Sequence, residues 1–164
     1  MTGEEFLEAL EGVDEAESGD GAGSGSARYF MFEVGSSRFA LPPEAVREIV
    51  PDLAVYPLPA CPAYVPGLVN VHGSPHAAID LRVLFESERQ EASLFLALNL
   101  EGDAVALGCT EVLEIAEVPE SRVTRFAEGD AEARFSDAVI VDGDLRVPVL
   151  SVERILAKLG ADLG

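Results

Sequence analysis

The chain runs through one plan twice, and that internal repeat limits its fold more than any other feature. Tyr29–Val34 is aromatic and β-rich, Gly35-Ser36-Ser37 has turn chemistry, and Arg38–Leu41 returns as a second short strand. Leu94–Leu100, the turn Glu101-Gly102-Asp103 and Ala104–Gly108 form the same kind of hairpin in the second half. A V-x-E-I run follows each of them, Val46–Ile49 first and Val112–Ile115 later. Gly67–Val71, a turn at His72-Gly73-Ser74-Pro75 and His76–Ile79 then read as a further hairpin. Ala138–Val141, the turn signal Asp142-Gly143 and Leu145–Leu150 echo it. Each half closes on a helix cap. Asp80 precedes Leu81–Phe85, and Ser151 precedes Val152, Ile155, Leu156 and Leu159 on one helical face.

Short strands divided by glycine and proline turns suit small antiparallel barrels and not a parallel sheet. The expected class is therefore all-β, with two similar units in tandem. A unit of about 65 residues is marginal alone, so the two should share an apolar interface. Residues 1–27 stand apart: Phe6, Leu10 and Val13 lie at helical spacing among acids, and a glycine-serine linker follows. That segment reads as an acidic disordered tail, with a docking peptide as the alternative. The expected domain covers residues 28–160, as barrels near 28–88 and 92–150 and a C-terminal helix over 151–160. Val46, Ile49 and Val50 are spaced for a short helix after Pro42-Pro43, ended by Pro51. The segment Pro57–Gly67 carries too many prolines for a central strand. It reads as a binding loop or as an ordered connection.

The two histidines of the chain, His72 and His76, stand four apart, with Asp80 four further on. H-x3-H-x3-D can bind a metal on a helix, where three such side chains share a face. Gly73 and Pro75 interrupt any such helix. In a hairpin Asp80 lies about 13 Å beyond His76, too far to meet both rings around one ion. A metal-dependent enzyme using His72, His76 and Asp80 is thus the unlike alternative to a binding protein. No G-x-S-x-G is present, and Cys61 has no paired base signalled in sequence. The glycines at 19, 21, 23 and 25 lack a preceding strand and a following Lys-Ser/Thr, so they are no phosphate loop. Cys61 and Cys109 are far apart and read as two buried, reduced thiols.

Three runs together resemble the CheW-like chemotaxis coupling proteins. They are Val46-Arg-Glu-Ile49, then Leu58-Pro59-x-x-Pro62-x-Tyr64-Val65-x-Gly67-Leu-Val-Asn70-Val-x-Gly73, and Ile79-Asp80-Leu81-Arg82. The similarity extends from Tyr29 to Leu159. It implies a pair of five-stranded SH3-like barrels packed together, no enzymatic activity and no cofactor. It further implies an adaptor that couples the cytoplasmic tips of methyl-accepting chemoreceptors to the regulatory domain of a CheA-like sensor histidine kinase. A diverged module serving another sensory or motility kinase is the nearer alternative. The resemblance places partner contacts at Val46 (apolar contact), Glu48 (a charge for orientation), Gly67 (close backbone approach) and position 72. Position 72 is histidine where the family has arginine, so a permanent cation becomes a ring that is mostly neutral near pH 7. Pro75–Ala78 is small where bulky aliphatics are usual, and Thr110 replaces a common aspartate.

Charge narrows the partners. Thirty acids stand against eleven bases, for a formal charge of −19, and the bases are ten arginines and Lys158. Such a surface repels nucleic acid and anionic membranes, leaving basic patches or apolar grooves as partners. No apolar run approaches the roughly 20 residues of a membrane span, and the acidic start is unlike a secretory signal, so a cytoplasmic location is expected, and the resemblance implies a place at membrane-associated receptor arrays. Excess acid with one lysine also predicts adaptation to salt. The midpoint of thermal unfolding should rise between low and molar salt; an unchanged midpoint would remove that reading.

Overall fold

The computed structural model describes residues 25–127, 129–130 and 133–163, so the amphipathic segment and linker up to residue 24 lie outside the described residues. The first half supplies β1 (Ser26–Val34), β2 (Ser37–Leu41), a single 3-10 turn (Pro43–Ala45), β3 (Val46–Pro51), β4 (Gly67–Val71), β5 (Ser74–Ile79) and the one-turn helix α1 (Leu81–Leu84). The second supplies β6 (Leu94–Leu98), β7 (Val105–Cys109), β8 (Glu111–Pro119), a 3-10 turn (Glu120–Arg122), β9 (Val123–Arg125), β10 (Ser136–Asp142), β11 (Leu145–Leu150) and α2 (Val152–Leu163). The all-β expectation holds.

Local expectations differ from the structure in four places. Val46–Pro51 is a strand and not a helix. Its register on β6 shifts between Val46 and Glu48. Such a bulge inserts one residue, so positions three apart can face the same way and imitate helical spacing. β1 begins at Ser26, two residues inside the expected linker, because Ser26 and Ala27 pair with Pro119 and Val118 of the long strand β8. The turn at His72 is tighter than expected: Val71 pairs with Ser74, leaving only His72 and Gly73 between the strands. Their φ values of 51° and 85° suit a primed two-residue turn. The C-terminal helix runs on to Leu163.

The halves of the repeat are not the halves of the structure. One sheet has the order β8-β1-β2-β11-β10-β9, the other β3-β6-β7-β5-β4. The hairpin β1–β2 therefore joins strands of the second half, and the hairpin β6–β7 joins strands of the first. Parallel contacts complete the exchange, Val149 of β11 beside Ala40 of β2, and Ala77–Ile79 of β5 beside Val105–Leu107 of β7.

Period-two alternation sorts apolar side chains between three cores. On β1, Phe30, Phe32 and Val34 enter one large core, while Tyr29 and Met31 enter another with Ala138, Ile140, Val147 and Val149. On β6, Leu96 and Leu98 join the large core, while Phe95 and Ala97 face Val69, Val71, Ala78 and Ala106. The large core thus draws on both sheets, and each sheet keeps a smaller core of its own. This is the shared interface that the marginal size of each unit requires. Phe30, Phe32, Phe39, Phe85 and Phe135 run through it in sequence, with neighbouring ring centroids 5.3–5.9 Å apart.

Both helices start as expected. Asp80 Oδ1 accepts from the Arg82 and Val83 amides at 3.0 and 3.3 Å, and Oδ2 accepts from the Gln90 amide at 3.0 Å. Ser151 Oγ accepts from the Arg154 amide at 3.2 Å. Ile155 and Leu159 bury the inner face of α2. Near its end the Tyr64 hydroxyl donates to Asp162 at 2.6 Å, with Lys158 Nζ 3.2 Å from the same carboxylate. Burial, then the bond to Asp162, raises the Tyr64 pKa; the bond from Tyr64, then that from Lys158, lowers that of Asp162.

Because Phe32 is wholly buried in the shared core, Phe32→Ala should lower unfolding free energy by about 3–5 kcal/mol. Urea unfolding should remain one transition by fluorescence and circular dichroism. Two separated transitions would show that the sheets are stable independently.

Candidate functional site

β3 and β4 lie at opposite ends of their sheet's order, yet side chains of β3 bond to the β4–β5 hairpin and roll the sheet toward closure. His72 Nε2 donates to Glu48 Oε1 at 2.6 Å, and the carboxylate can only accept, which places the ring proton on Nε2. His72 is 73% exposed at the tip of its turn, while Glu48 is 24% exposed. Beside them Arg47 Nη2 donates to His76 Nε2 at 3.2 Å, and Arg47 Nε stands 3.6 Å from Glu48. His76 is buried, and its Nδ1–H donates to the Ser74 carbonyl at 2.9 Å. That second bond leaves Nε2 as the acceptor of the neutral ring.

The three candidate metal ligands do not converge. His72 is tied to Glu48, His76 to Arg47 and Ser74, and Asp80 to three backbone amides. Among the described residues no group of three His, Cys, Asp or Glu side chains is placed to hold one metal ion. The two cysteines are free. Burial pushes the Cys109 thiol up to about 12, whereas Cys61 is only half-buried. Cys61 borders an open groove of about 640 Å³ between the proline loop, α1 and α2, lined also by Tyr64, Arg134 and Lys158. No helix of the described residues is long and apolar enough to cross a membrane.

The proline-rich segment acts in part as structure. Tyr56 and Leu68 exchange backbone hydrogen bonds at 2.8 and 2.9 Å, which lays this segment along the outer edge of β4. Gly67 permits the approach. A Cβ there would lie 2.3 Å from the Tyr56 carbonyl oxygen, and its φ is 154°. Farther along the loop, Tyr56 and Leu58 leave their side chains exposed.

With this geometry in place, the family model for the CheW-like domain matches residues 28–160. The chain belongs to the CheW-like family. A crystal structure of the scaffolding protein TtCheW from Thermoanaerobacter tengcongensis superposes on this chain with a TM-score of 0.65 at 18% identity, covering 78% of this chain and 90% of that one. At that identity the likeness concerns the fold. A comparison with curated proteins finds no match.

Within this CheW-like chain the four carried-over positions separate into two pairs. Glu48 and His72 meet on the surface. Val46 is buried in the shared core and Gly67 is buried against Tyr56 and Pro57. An apolar contact from Val46 and backbone room at Gly67 are thus used inside the chain. Sequence reading missed Arg47 and the inward-facing role of His76, which lie 29 residues apart and are brought together only by barrel closure. The V-x-E-I pattern leaves Arg47 as its unspecified position, so no local signal marks it. Thr110 also has a structural use here. Its hydroxyl accepts from the Gly35 amide at 2.9 Å and donates to the Glu33 carbonyl at 3.1 Å, pinning the end of β1. The small run before Ile79 buries His76 and packs Ala78 against the sheet's own core.

Gly67→Ala should destabilise the protein by more than Gly73→Ala. An added Cβ at Gly73 meets nothing within 4 Å, so that variant suffers only backbone strain, about 1–2 kcal/mol. Equal shifts of the two variants in urea titrations would show that the Tyr56 contact does not hold Gly67 in place.

Proposed function

We propose that this chain is a non-catalytic adaptor that couples chemoreceptors to a CheA-like sensor histidine kinase in chemotaxis signalling. The observation that carries the reading is the family match across residues 28–160. The partners are the cytoplasmic tips of methyl-accepting chemoreceptors and the regulatory domain of the kinase, met at membrane-associated arrays. No chemical step is required. An adaptor that binds two partners raises their effective concentration toward one another, and a rigid adaptor also fixes their relative orientation. The exposed Glu48–His72 pair, with Arg47 beside it, offers a polar, directional surface of the kind that sets register in such contacts.

One observation favours a second reading, a diverged module serving another sensory or motility kinase. The histidine at position 72 gives up the permanent cation that the family pattern carries there.

Affinity purification of the full chain from its native host should recover a CheA-like kinase and chemoreceptors. Recovery of a different kinase without receptors would replace the first reading with the second. His72→Arg should tighten binding to receptor arrays, read by co-sedimentation. The turn conformation, φ 51°, is one that His adopts more readily than Arg, so the variant should be slightly less stable while binding more tightly. Unchanged array binding and unchanged kinase stimulation would place position 72 outside the contact.

A further inference from the structure

We infer that Arg47 supplies the contact cation of this surface in place of position 72, and that buried His76 is the residue that positions it. The inference rests on the proposed adaptor reading and assigns the Glu48–His72 surface to the kinase regulatory domain. His72 and His76 then have linked roles: the turn carries no guanidinium, and β3, at the other end of the sheet order, presents one against the acceptor that His76 supplies.

The geometry sets the roles. The Arg47 side chain is 43% exposed, so its head is accessible, and a guanidinium carries five donors in a planar fork. One donor is spent on His76 at 3.2 Å. Glu48 holds His72 through Oε1 at 2.6 Å and pairs with Arg47 Nε through Oε2 at 3.6 Å, longer than a hydrogen bond, so the outer end of the fork keeps donors to offer. The remaining donors suit a carboxylate on the facing protein. His76 is suited to hold the fork still. The Ser74 carbonyl fixes its Nδ1–H, burial fixes the ring, and the lone pair on Nε2 is left pointing at Arg47. An aliphatic side chain at position 76 would fill the same space and offer no acceptor. Holding a long side chain in its bound conformation lowers the ordering cost of binding. The partner chemistry is thus a single acidic group on the kinase domain, met locally by Arg47 within a chain that is acidic overall, with Glu48 rejecting a misplaced acid.

The test uses the full chain and the purified regulatory domain of the CheA-like kinase encoded by the same host, with affinity read by calorimetry. Arg47→Glu should weaken binding by about tenfold or more, the range of an interface arginine. His76→Leu should weaken it by about threefold, and His76→Gln, which keeps an acceptor near the Nε2 position, should restore most of the loss. In the free protein, the Arg47 Nη2–H resonance should exchange faster with water in His76→Leu than in the parent and in His76→Gln. Adding His72→Arg to Arg47→Ala should recover binding, because the cation returns to the turn. Arg47→Glu binding like the parent while Glu48→Lys loses binding would overturn the inference and leave the surface reading intact. Parent-like binding and exchange in His76→Leu would overturn the positioning role alone. If neither Arg47→Glu nor Glu48→Lys alters binding, the surface reading itself fails. A parent chain that does not bind the domain removes both.

Discussion

The contact between the two sheets is the constraint on which the rest of the molecule depends. Neither sheet is made from one contiguous half, because β1–β2 and β6–β7 each cross to the other half's strands. Strands that cross in this way are covered on both faces, and their composition has to satisfy two cores at once. Phe30-Met31-Phe32 and Leu94–Leu98 are apolar without interruption for this reason. The same contact stabilises two units that would each be marginal alone. It also fixes the geometry between their surfaces, since rotating one sheet against the other would uncover the phenylalanine row.

Polar groups do a separate task, closing what the apolar groups have assembled. Asp80 satisfies three backbone amides at a single buried carboxylate and so turns β5 into α1. Thr110 ties the end of β1 to the start of β8. The Glu48–His72 and Arg47–His76 bonds draw together the two ends of one sheet. The first of these bonds lies at the surface, and the second joins the partly exposed Arg47 to the buried His76. A single polar seam thus closes a barrel and presents a charged face.

Much of the fold can be read from local pattern, and the limits of that reading have identifiable causes. The strands of all four hairpins are visible because alternation, turn glycines and proline breaks are local signals. The exchange of hairpins is not visible, since a strand's pattern shows that it pairs but not with which strand. Val46–Ile49 reads as a helix because a bulge gives it the helical interval. The helix caps at Asp80 and Ser151 are legible because a cap is a short-range motif. At the candidate site, Gly73 announces the turn that carries His72, and the resemblance to the family marks Glu48. Val46 and Gly67 share the same motif but are consumed by internal packing, a distinction that only burial reveals. Arg47 and His76 are joined by closure of the barrel, which no window of sequence contains.

The exchanged hairpins also bear on synthesis. β1 and β2 leave the ribosome first, but two of their neighbours, β8 and β11, begin only at Glu111 and Leu145. At roughly 5–20 residues per second, translation leaves the β1–β2 hairpin waiting on the order of ten seconds for its last partner. During that wait Phe30, Met31 and Phe32 have no finished core to enter. The nascent chain therefore passes through a stage in which the run Phe30-Met31-Phe32 is uncovered, and that stage ends when β11 arrives to take its place beside β2.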